Sequence, residues 1–358
     1  MKLSALALMA VLGCACAKKV SEGVYDDERR YLTAWLKYAD LSEVGISILR
    51  NAETQLPDTI GRGVYLLNET KTSDPDALKA TKDGYAMISY TARTLSLDIS
   101  EYSEKSTAQQ IGEYNKPYYY GPHTVSIMPT ENYAGLIDAI AGMSVGDTRT
   151  VLIPKWLMTS SDYATETEYL QNSNSNSNMI YEITLKDFTA DIKAKQTADI
   201  LDYLENNVIG KMADSKGNFI TKVDTLCEGL YFIPLTDTTG HSTFPSDTTV
   251  YINYTGRRLD GQAFDTTIEK TAKDEDLYSS STTYSAKAVT WGESYSEITM
   301  SSSSLITGFS RTLWAMNPMG KAIAIFTSDY GYGSSGSGST IPGYAPLIFE
   351  IELVEEPE

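Results

Sequence analysis

Residues 250–265 read VYINYTGRRLDGQAFD. Val250, Ile252 and Tyr254 alternate with Tyr251 and Asn253, and a period of two in a run of β-branched and aromatic residues predicts a half-buried strand. An earlier stretch echoes it. Ala86-Met87-Ile88-Ser89-Tyr90-Thr91 lies 164 positions upstream of Val250-Tyr251-Ile252-Asn253-Tyr254-Thr255, measured from Tyr90 to Tyr254. Gly63-Val64-Tyr65-Leu66-Leu67 likewise recurs as Gly229-Leu230-Tyr231-Phe232-Ile233, an offset of 166 from Gly63 to Gly229. Two landmarks in the same order at nearly equal offsets predict a duplicated unit.

A helical pattern precedes each copy. Leu32, Trp35, Leu36 and Ala39 fall on one helical face, as do Ala198, Leu201, Leu204 and Val208. Asp26, Asp27 and Glu28 are expected to open the first helix, where carboxylates favour the positive dipole end. The second is expected to run from about Asp191 to Met212, with Asp214-Ser215-Lys216-Gly217-Asn218 breaking it. Met179 to Leu185 and Leu347 to Leu353 alternate apolar with polar residues and close the two copies as strands. The Asn/Ser-rich 171–178, the Ser/Thr-rich 279–304 and the Gly/Ser-rich 333–340 read as surface loops. These patterns give α+β architecture, with a mostly antiparallel sheet in each unit.

The 358 residues carry a formal charge of −18, which disfavours binding to a phosphate backbone, so no nucleic acid is expected as a partner. Met1 to Ala17 has one Lys before a short apolar run, about half the length of a membrane span. Its end, Val11-Leu12-Gly13-Cys14, resembles a bacterial lipobox with Cys14 as the lipidated residue. That resemblance implies a cell-envelope protein held on the outer membrane, at its periplasmic face or surface, by a lipid anchor. Beyond the leader only Cys227 remains, near the start of a strand-like run, where it reads as a small buried residue. His123 and His241 are the only histidines and lie in different copies, which disfavours zinc hydrolase and His-based triad chemistry. Gly331 to Gly336 formally fits G-x-G-x-x-G, but more Gly and Ser follow it and no helix does, so a nucleotide site is not expected.

With these blocks in place, the second copy resembles the FKBP family of prolyl isomerases. The resemblance spans about 130 residues. It runs through Val250 to Gly256; Leu259-Asp260-Gly261-Gln262-Ala263-Phe264-Asp265; Leu305-Ile306-Thr307-Gly308-Phe309 with Leu313 and Met316 to Gly320; Asp329-Tyr330-Gly331-Tyr332-Gly333; and Ile341-Pro342 followed by Leu347 to Leu353. It implies two FKBP-like units, each an antiparallel β-sheet wrapped around a short α-helix and each preceded by an amphipathic helix. In the second, that short helix would be Gly308 to Ala315. The implied organisation is a lipoprotein signal region at 1–17, an N-terminal helical segment at 18–58, a degenerate unit at 59–190, a linker helix at 191–222 and an isomerase unit at 223–358.

By the same resemblance, the catalytic positions are Asp265, Tyr332, Phe264 and Ile306, and the substrate-binding positions are Tyr254, Leu305, Phe309, Ile341 and Phe349. Phe309, Ile306, Phe264 and Phe349 would hold the proline ring. Tyr332 would donate its hydroxyl to a substrate carbonyl, and Asp265 would meet the twisted carbonyl or orient its neighbours. The backbone N–H of Ile306 would help hold the peptide. Partners are then proline-containing polypeptides, with macrolide inhibitors as candidate ligands and no cofactor. Phe309 stands where the family usually has Trp, which loses the indole N–H and bears on macrolide affinity more than on activity. Two further departures are the 40 positions separating Asp265 from Leu305, an insert expected near the pocket rim, and a turn at Met316 to Gly320 one residue longer than usual.

The first copy keeps Tyr90, the helix end and turn from Ile140 to Asp147, and Val151-Leu152-Ile153-Pro154. Counting on from Tyr90 as from Tyr254 to Phe264 and Asp265 lands on Ser100 and Glu101. The Phe-Asp pair and the Asp-Tyr-x-Tyr-Gly block are missing, so a binding or structural role is expected there. Two other classes stay open for the whole protein: a non-catalytic peptide-binding chaperone or accessory lipoprotein of an envelope complex, and a glycan-binding surface lipoprotein.

Overall fold

The computed structural model describes residues 20–161, 163–172, 176–236 and 244–357. Cys14 and His241 lie outside these residues. In chain order the first half comprises α1 (Val20–Tyr38), β1 (Thr59–Ile60), β2 (Val64–Thr70), β3 (Tyr85–Arg93), β4 (Ile99–Tyr102), α2 (Lys105–Ile111), β5 (His123–Ser126), α3 (Ala134–Ile140), β6 (Thr148–Ile153), α4 (Glu166–Asn172) and β7 (Met179–Thr189). The second comprises α5 (Ile192–Asn207), β8 (Asp224–Cys227), β9 (Leu230–Pro234), β10 (Thr249–Arg258), β11 (Ala263–Thr266), α6 (Glu269–Asp274), β12 (Lys287–Thr290), β13 (Thr299–Met300), β14 (Ser303–Ser304), α7 (Thr307–Ala315), β15 (Lys321–Phe326) and β16 (Leu347–Val354).

The duplication is structural. The first sheet runs β1-β2-β6-β7-β3-β4 with β5 also on β3; the second runs β14-β13-β12-β10-β16-β15-β9-β8 with β11 also on β10. The four central strands β2-β6-β7-β3 thus correspond to β9-β15-β16-β10, and every pair is antiparallel.

Each sheet is covered on both faces, which explains the consecutive apolar residues Val151-Leu152-Ile153 in β6 and Ala322 to Phe326 in β15. In β15, Ala322, Ala324 and Phe326 join the core that contains Phe309 and Leu313 of α7. Ile323 and Ile325 point the other way and pack with Ile200 and Leu204 of α5. In β6, Val151 and Ile153 meet Leu136, Ile137 and Ile140 of α3, while Leu152 packs with Leu36 of α1. The helix before each unit is therefore part of that unit. Both inner helices have a glycine as their second residue because the sheet comes too close for a side chain: a Cβ on Gly308 would lie 2.6 Å from the Phe326 ring, and one on Gly135 would lie 2.2 Å from Ile153.

Several local expectations are corrected. Asp26, Asp27 and Glu28 are interior to α1, which is already helical at Val20. Helix α5 stops at Asn207, five residues short of Met212, and Gly210 turns the chain at φ +70°. Asp191 caps its start, with Oδ1 accepting from the N–H groups of Lys193 and Ala194. Its buried face is Gln196, Ile200 and Leu204, while Ala198 and Leu201 are exposed. The Ser/Thr-rich stretch 279–304 is not all surface loop. It adds β12, β13 and β14 to the edge of β10. It also buries Trp291, which stacks on Trp314 at 5.6 Å and meets Phe244 edge-on. Cys227 is half-buried at the end of β8. Among the described residues, no helix is long and apolar enough to cross a membrane.

Candidate active site

The sequence-predicted residues converge at one end of the second sheet. Tyr254 and Gly256 lie on β10, which pairs with β16 so that Gly256 faces Phe349. On its other edge β10 pairs with β11, placing Gly256 opposite Asp265, and a bulge between Gly256 and Arg257 redirects the strand there. Phe309 rises from the first turn of α7, three residues after Ile306; Ile306 is the N-cap, and its carbonyl accepts from the N–H groups of Phe309 and Ser310. Tyr332 and Ile341 come from the long loop between β15 and β16.

The aromatic rings interlock edge to face. Phe309 meets Phe349 at 5.1 Å and 90°, Tyr254 meets Phe309 at 5.4 Å and 84°, and Phe264 meets Phe349 at 5.6 Å and 79°. Phe326 stacks beneath Phe349 at 5.7 Å. Edge-to-face contacts of this kind are each worth about 0.5–1.5 kcal/mol beyond the area they bury. They leave the ring planes fixed, with Phe309, Phe349 and Ile341 buried and Phe264, Leu305 and Ile306 partly open. The result is an apolar wall with a solvent-facing edge.

A single polar pair borders that wall. The Tyr254 hydroxyl donates to Asp265 Oδ2 at 2.7 Å. Burial, and then the charge and hydrogen bond of Asp265, keep the Tyr254 phenol protonated far above its usual range. The Asp265 side chain stands at the exposed rim. Tyr332 is 37% exposed; burial of the rest, followed by the nearby Asp265 charge, raises its phenol pKa as well. Eight of the nine residues expected from the sequence thus share one wall and its Tyr254–Asp265 border, and Tyr332 faces them across the rim.

Sequence reasoning missed two elements of this site. Gly256 is one: a Cβ there would lie 2.6 Å from the Phe264 ring and 2.9 Å from Phe349, so only a glycine lets the two rings approach the strand. Its place in the run Tyr254-Thr255-Gly256, eight residues before Phe264, was the available signal. The other is Phe326, whose stacking under Phe349 depends on register between β15 and β16 and leaves no local trace.

The profile of a family described as FKBP-type peptidyl-prolyl cis-trans isomerase matches residues 240–354. FK506-binding protein 1A of Aspergillus fumigatus is 30% identical over 105 residues, covering 29% of this chain and 74% of that protein. The chain belongs to the FKBP-type peptidyl-prolyl cis-trans isomerase family. An FK506-binding protein of Neisseria meningitidis serogroup C is 28% identical over 106 residues, 30% of this chain and 77% of that one. Among solved structures, a peptidyl-prolyl cis-trans isomerase from Pseudomonas syringae is 24% identical and covers 47% of this chain and 96% of its own, with a TM-score of 0.29. The three FKBP domains of wheat FKBP73 cover 83% and 98% at 13% identity and a TM-score of 0.26. At such TM-scores the superpositions add nothing to the strand pairing above. The second unit, which carries the family match, is a peptidyl-prolyl cis-trans isomerase.

Proposed function

We propose that the wall formed by Phe309, Phe349, Phe264, Ile306, Leu305, Ile341 and Tyr254 holds a proline ring while Asp265 and Tyr332 engage the peptide beside it. The observation that carries this is the fixed edge-to-face aromatic cluster bordered by one polar pair, Tyr254 to Asp265. Rotation about a peptide bond costs about 18–20 kcal/mol because amide resonance must be broken. The twisted amide has lost conjugation and is less dipolar, so an apolar surface that sheds water favours it over the planar ground state. Holding the twisted form more tightly than the planar one is differential binding and needs no nucleophile. Asp265 holds the Tyr254 hydroxyl in place and presents its second oxygen to the rim, while the partly exposed Tyr332 hydroxyl is free to donate to a substrate carbonyl.

The setting we propose is the cell envelope, with the protein anchored through lipid on Cys14 and its clients being exported proteins that fold slowly at X-Pro bonds. The lipobox-like Val11-Leu12-Gly13-Cys14 supports the anchor. Macrolides of the kind named for the relatives are proposed as ligands, weakened where Phe309 replaces an indole. A cis-to-trans assay on a short proline peptide tests the site. The full chain should accelerate exchange, and Asp265→Ala and Tyr332→Phe should each lower that acceleration. A full chain that leaves the exchange at its uncatalysed rate sinks the site assignment. Labelled palmitate incorporated by the intact gene product and lost in Cys14→Ser tests the anchor.

A further inference from the structure

The loop that supplies Tyr332 and Ile341 is held from beyond its flanking strands, by α5 of its own unit and by the first unit. At its start, Gln196 of α5, buried to 3% exposure, exchanges two hydrogen bonds with Ser328: Nε2 donates to the hydroxyl at 3.0 Å, and the Ser328 N–H donates to Oε1 at 2.8 Å. At its tip, the N–H of Tyr119, in the first unit, donates to the carbonyl of Ser339 at 2.8 Å. At its end, the ring of Tyr344 meets Tyr85 of β3 edge-on at 5.3 Å. Ser334 and Gly343 also complete the wall of a cavity of about 260 Å³ in the first unit, lined by Tyr90, Glu101, His123 and Tyr181.

Arg258 joins these contacts. It is 5% exposed, whereas its neighbour Arg257 pairs with Glu275 nearer the surface. One guanidinium nitrogen, Nη1, donates both to the Pro117 carbonyl of the first unit at 3.2 Å and to the Thr340 carbonyl of the loop at 2.6 Å. Nε and Nη2 close on Asp260 Oδ2 at 3.1 and 3.0 Å, and the Tyr119 ring lies 5.3 Å away. A buried guanidinium is costly unless its donors are satisfied. Here that satisfaction requires the first unit and the loop to be in register at once.

We propose that the first unit and α5 are positioning elements for the isomerase loop, with Arg258 as the pin, so that peptide binding in the second unit depends on the first. This rests on Tyr332 and Ile341 belonging to the peptide site. The loop's own bonds are short-range: Tyr330 to Thr327, Gly331 and Gly333 to Ser328, Gly336 to Tyr332, Ser337 and Ile341 to each other, Thr340 to Ser337, and Tyr344 to Gly333. External contacts therefore decide how narrowly Tyr332 is aimed.

The test uses the full chain with Arg258→Met, which keeps the stem and removes every donor, and Tyr119→Leu, which alters only the first unit. Arg258→Lys serves as the conservative variant and Asp265→Ala as the site control. KM and kcat for a proline peptide are read together with amide exchange at residues 333–344. Arg258→Met should raise KM about 3- to 10-fold with little change in kcat, and loop amides should exchange at least about tenfold faster. Tyr119→Leu should move both in the same direction by less, and Arg258→Lys should recover part of each. Asp265→Ala should lower kcat/KM without loosening the loop. Folded Arg258→Met and Tyr119→Leu with wild-type KM and wild-type loop exchange would overturn the proposal while Asp265→Ala still shows the site to be real. A wild-type chain that does not catalyse overturns the premise itself, and then Asp265→Ala has no rate to lower.

Discussion

The two units are the same fold built around different pairs of side chains. Tyr90 stands where Tyr254 does, and Tyr181 opposite Ala92 stands where Phe349 does opposite Gly256. Strands β3 and β10 each carry a bulge at the equivalent step, Ala92 to Arg93 and Gly256 to Arg257. Across the bulge the units part. Ser100 and Glu101 replace Phe264 and Asp265, and the floor is Leu136 in place of Phe309. Ala92 is fully buried, with Ser100 where Phe264 stands in the second unit. Gly256 is required because the Phe264 and Phe349 rings lie against it. The loss of the phenyl ring at Ser100 and the gain of a methyl at Ala92 on the neighbouring strand are thus one steric event. The first unit's inner helix differs in charge as well. Asp138 occupies the position of Arg311; it is 3% exposed and accepts from the Arg62 N–H and Nε at 3.0 and 2.9 Å and from Lys82. Arg311 instead donates to the Tyr295 hydroxyl at 2.8 Å. One copy uses its inner helix as a locked strut, and the other uses it to carry Phe309.

The locked strut yields the largest expected effect. Burial alone would raise the Asp138 pKa, but the hydrogen bonds from Lys82 and Arg62 hold it below the usual carboxylate range. Asp138→Ala strands both cations beside an apolar helix. Breaking a buried pair costs about 3–5 kcal/mol, and the partial exposure of Lys82 and Arg62 places this one at roughly 2–3 kcal/mol. Thermal unfolding followed by a fluorophore in each unit should show the first unit melting earlier. A first-unit transition at its wild-type temperature would mean that the strut is not held by charge. The steric comparison is tested next. Gly256→Ala should cost about 1–3 kcal/mol as Phe264 and Phe349 are pushed off their rotamers, and isomerase activity should fall with it. Adding Phe264→Ser recreates the first unit's pair in the second unit. Stability should then recover while activity stays low, giving a coupling of about 1 kcal/mol or more in a double-mutant cycle. Additive effects would break the comparison.

Much of this was legible in the sequence because the two copies share their register. Counting from Tyr90 reached Ser100 and Glu101 correctly, since the bulge falls at the same step in each. The inner helix was visible from Gly308 to Ala315, and the structure extends it only to Thr307. What stayed hidden depended on partners far along the chain. The buried face of α5 includes Gln196, a polar residue buried because Ser328, 132 positions away, satisfies it. Periodicity of apolar residues therefore chose Ala198 and Leu201 instead. The strands of the insert carry Ser and Thr on their exposed positions, so composition suggested a loop while Val289 and Trp291 were buried beneath. The hold of the first unit on the isomerase loop is carried largely by backbone carbonyls at Pro117, Ser339 and Thr340, which no residue type announces.

The smallest effect concerns the site the first unit kept. His123 sits between Tyr90 and Tyr119 at 5.8 and 5.3 Å, on the wall of the cavity closed by Ser334 and Gly343. The second unit has Lys287 at the same register, paired with Ile252 as His123 is with Ile88. Burial lowers the His123 pKa from its ordinary 6.5. The folded chain therefore keeps the imidazole neutral in a range where the unfolded chain protonates it, and the unfolded state binds more protons. Stability must then rise with pH in that range, so the contribution is present above about pH 6.5 and is lost as pH falls toward the folded pKa. One such group changes stability by at most about 1.4 kcal/mol per pH unit. Melting of the first unit should accordingly shift down between pH 7 and pH 5, and His123→Phe, which keeps the ring contacts, should flatten that shift. An unchanged slope in the variant would place the pH dependence with the carboxylates. A slope that disappears would show that the first unit's cavity still acts on the chain, through a neutral histidine beneath the loop proposed to bind peptide in its sister unit.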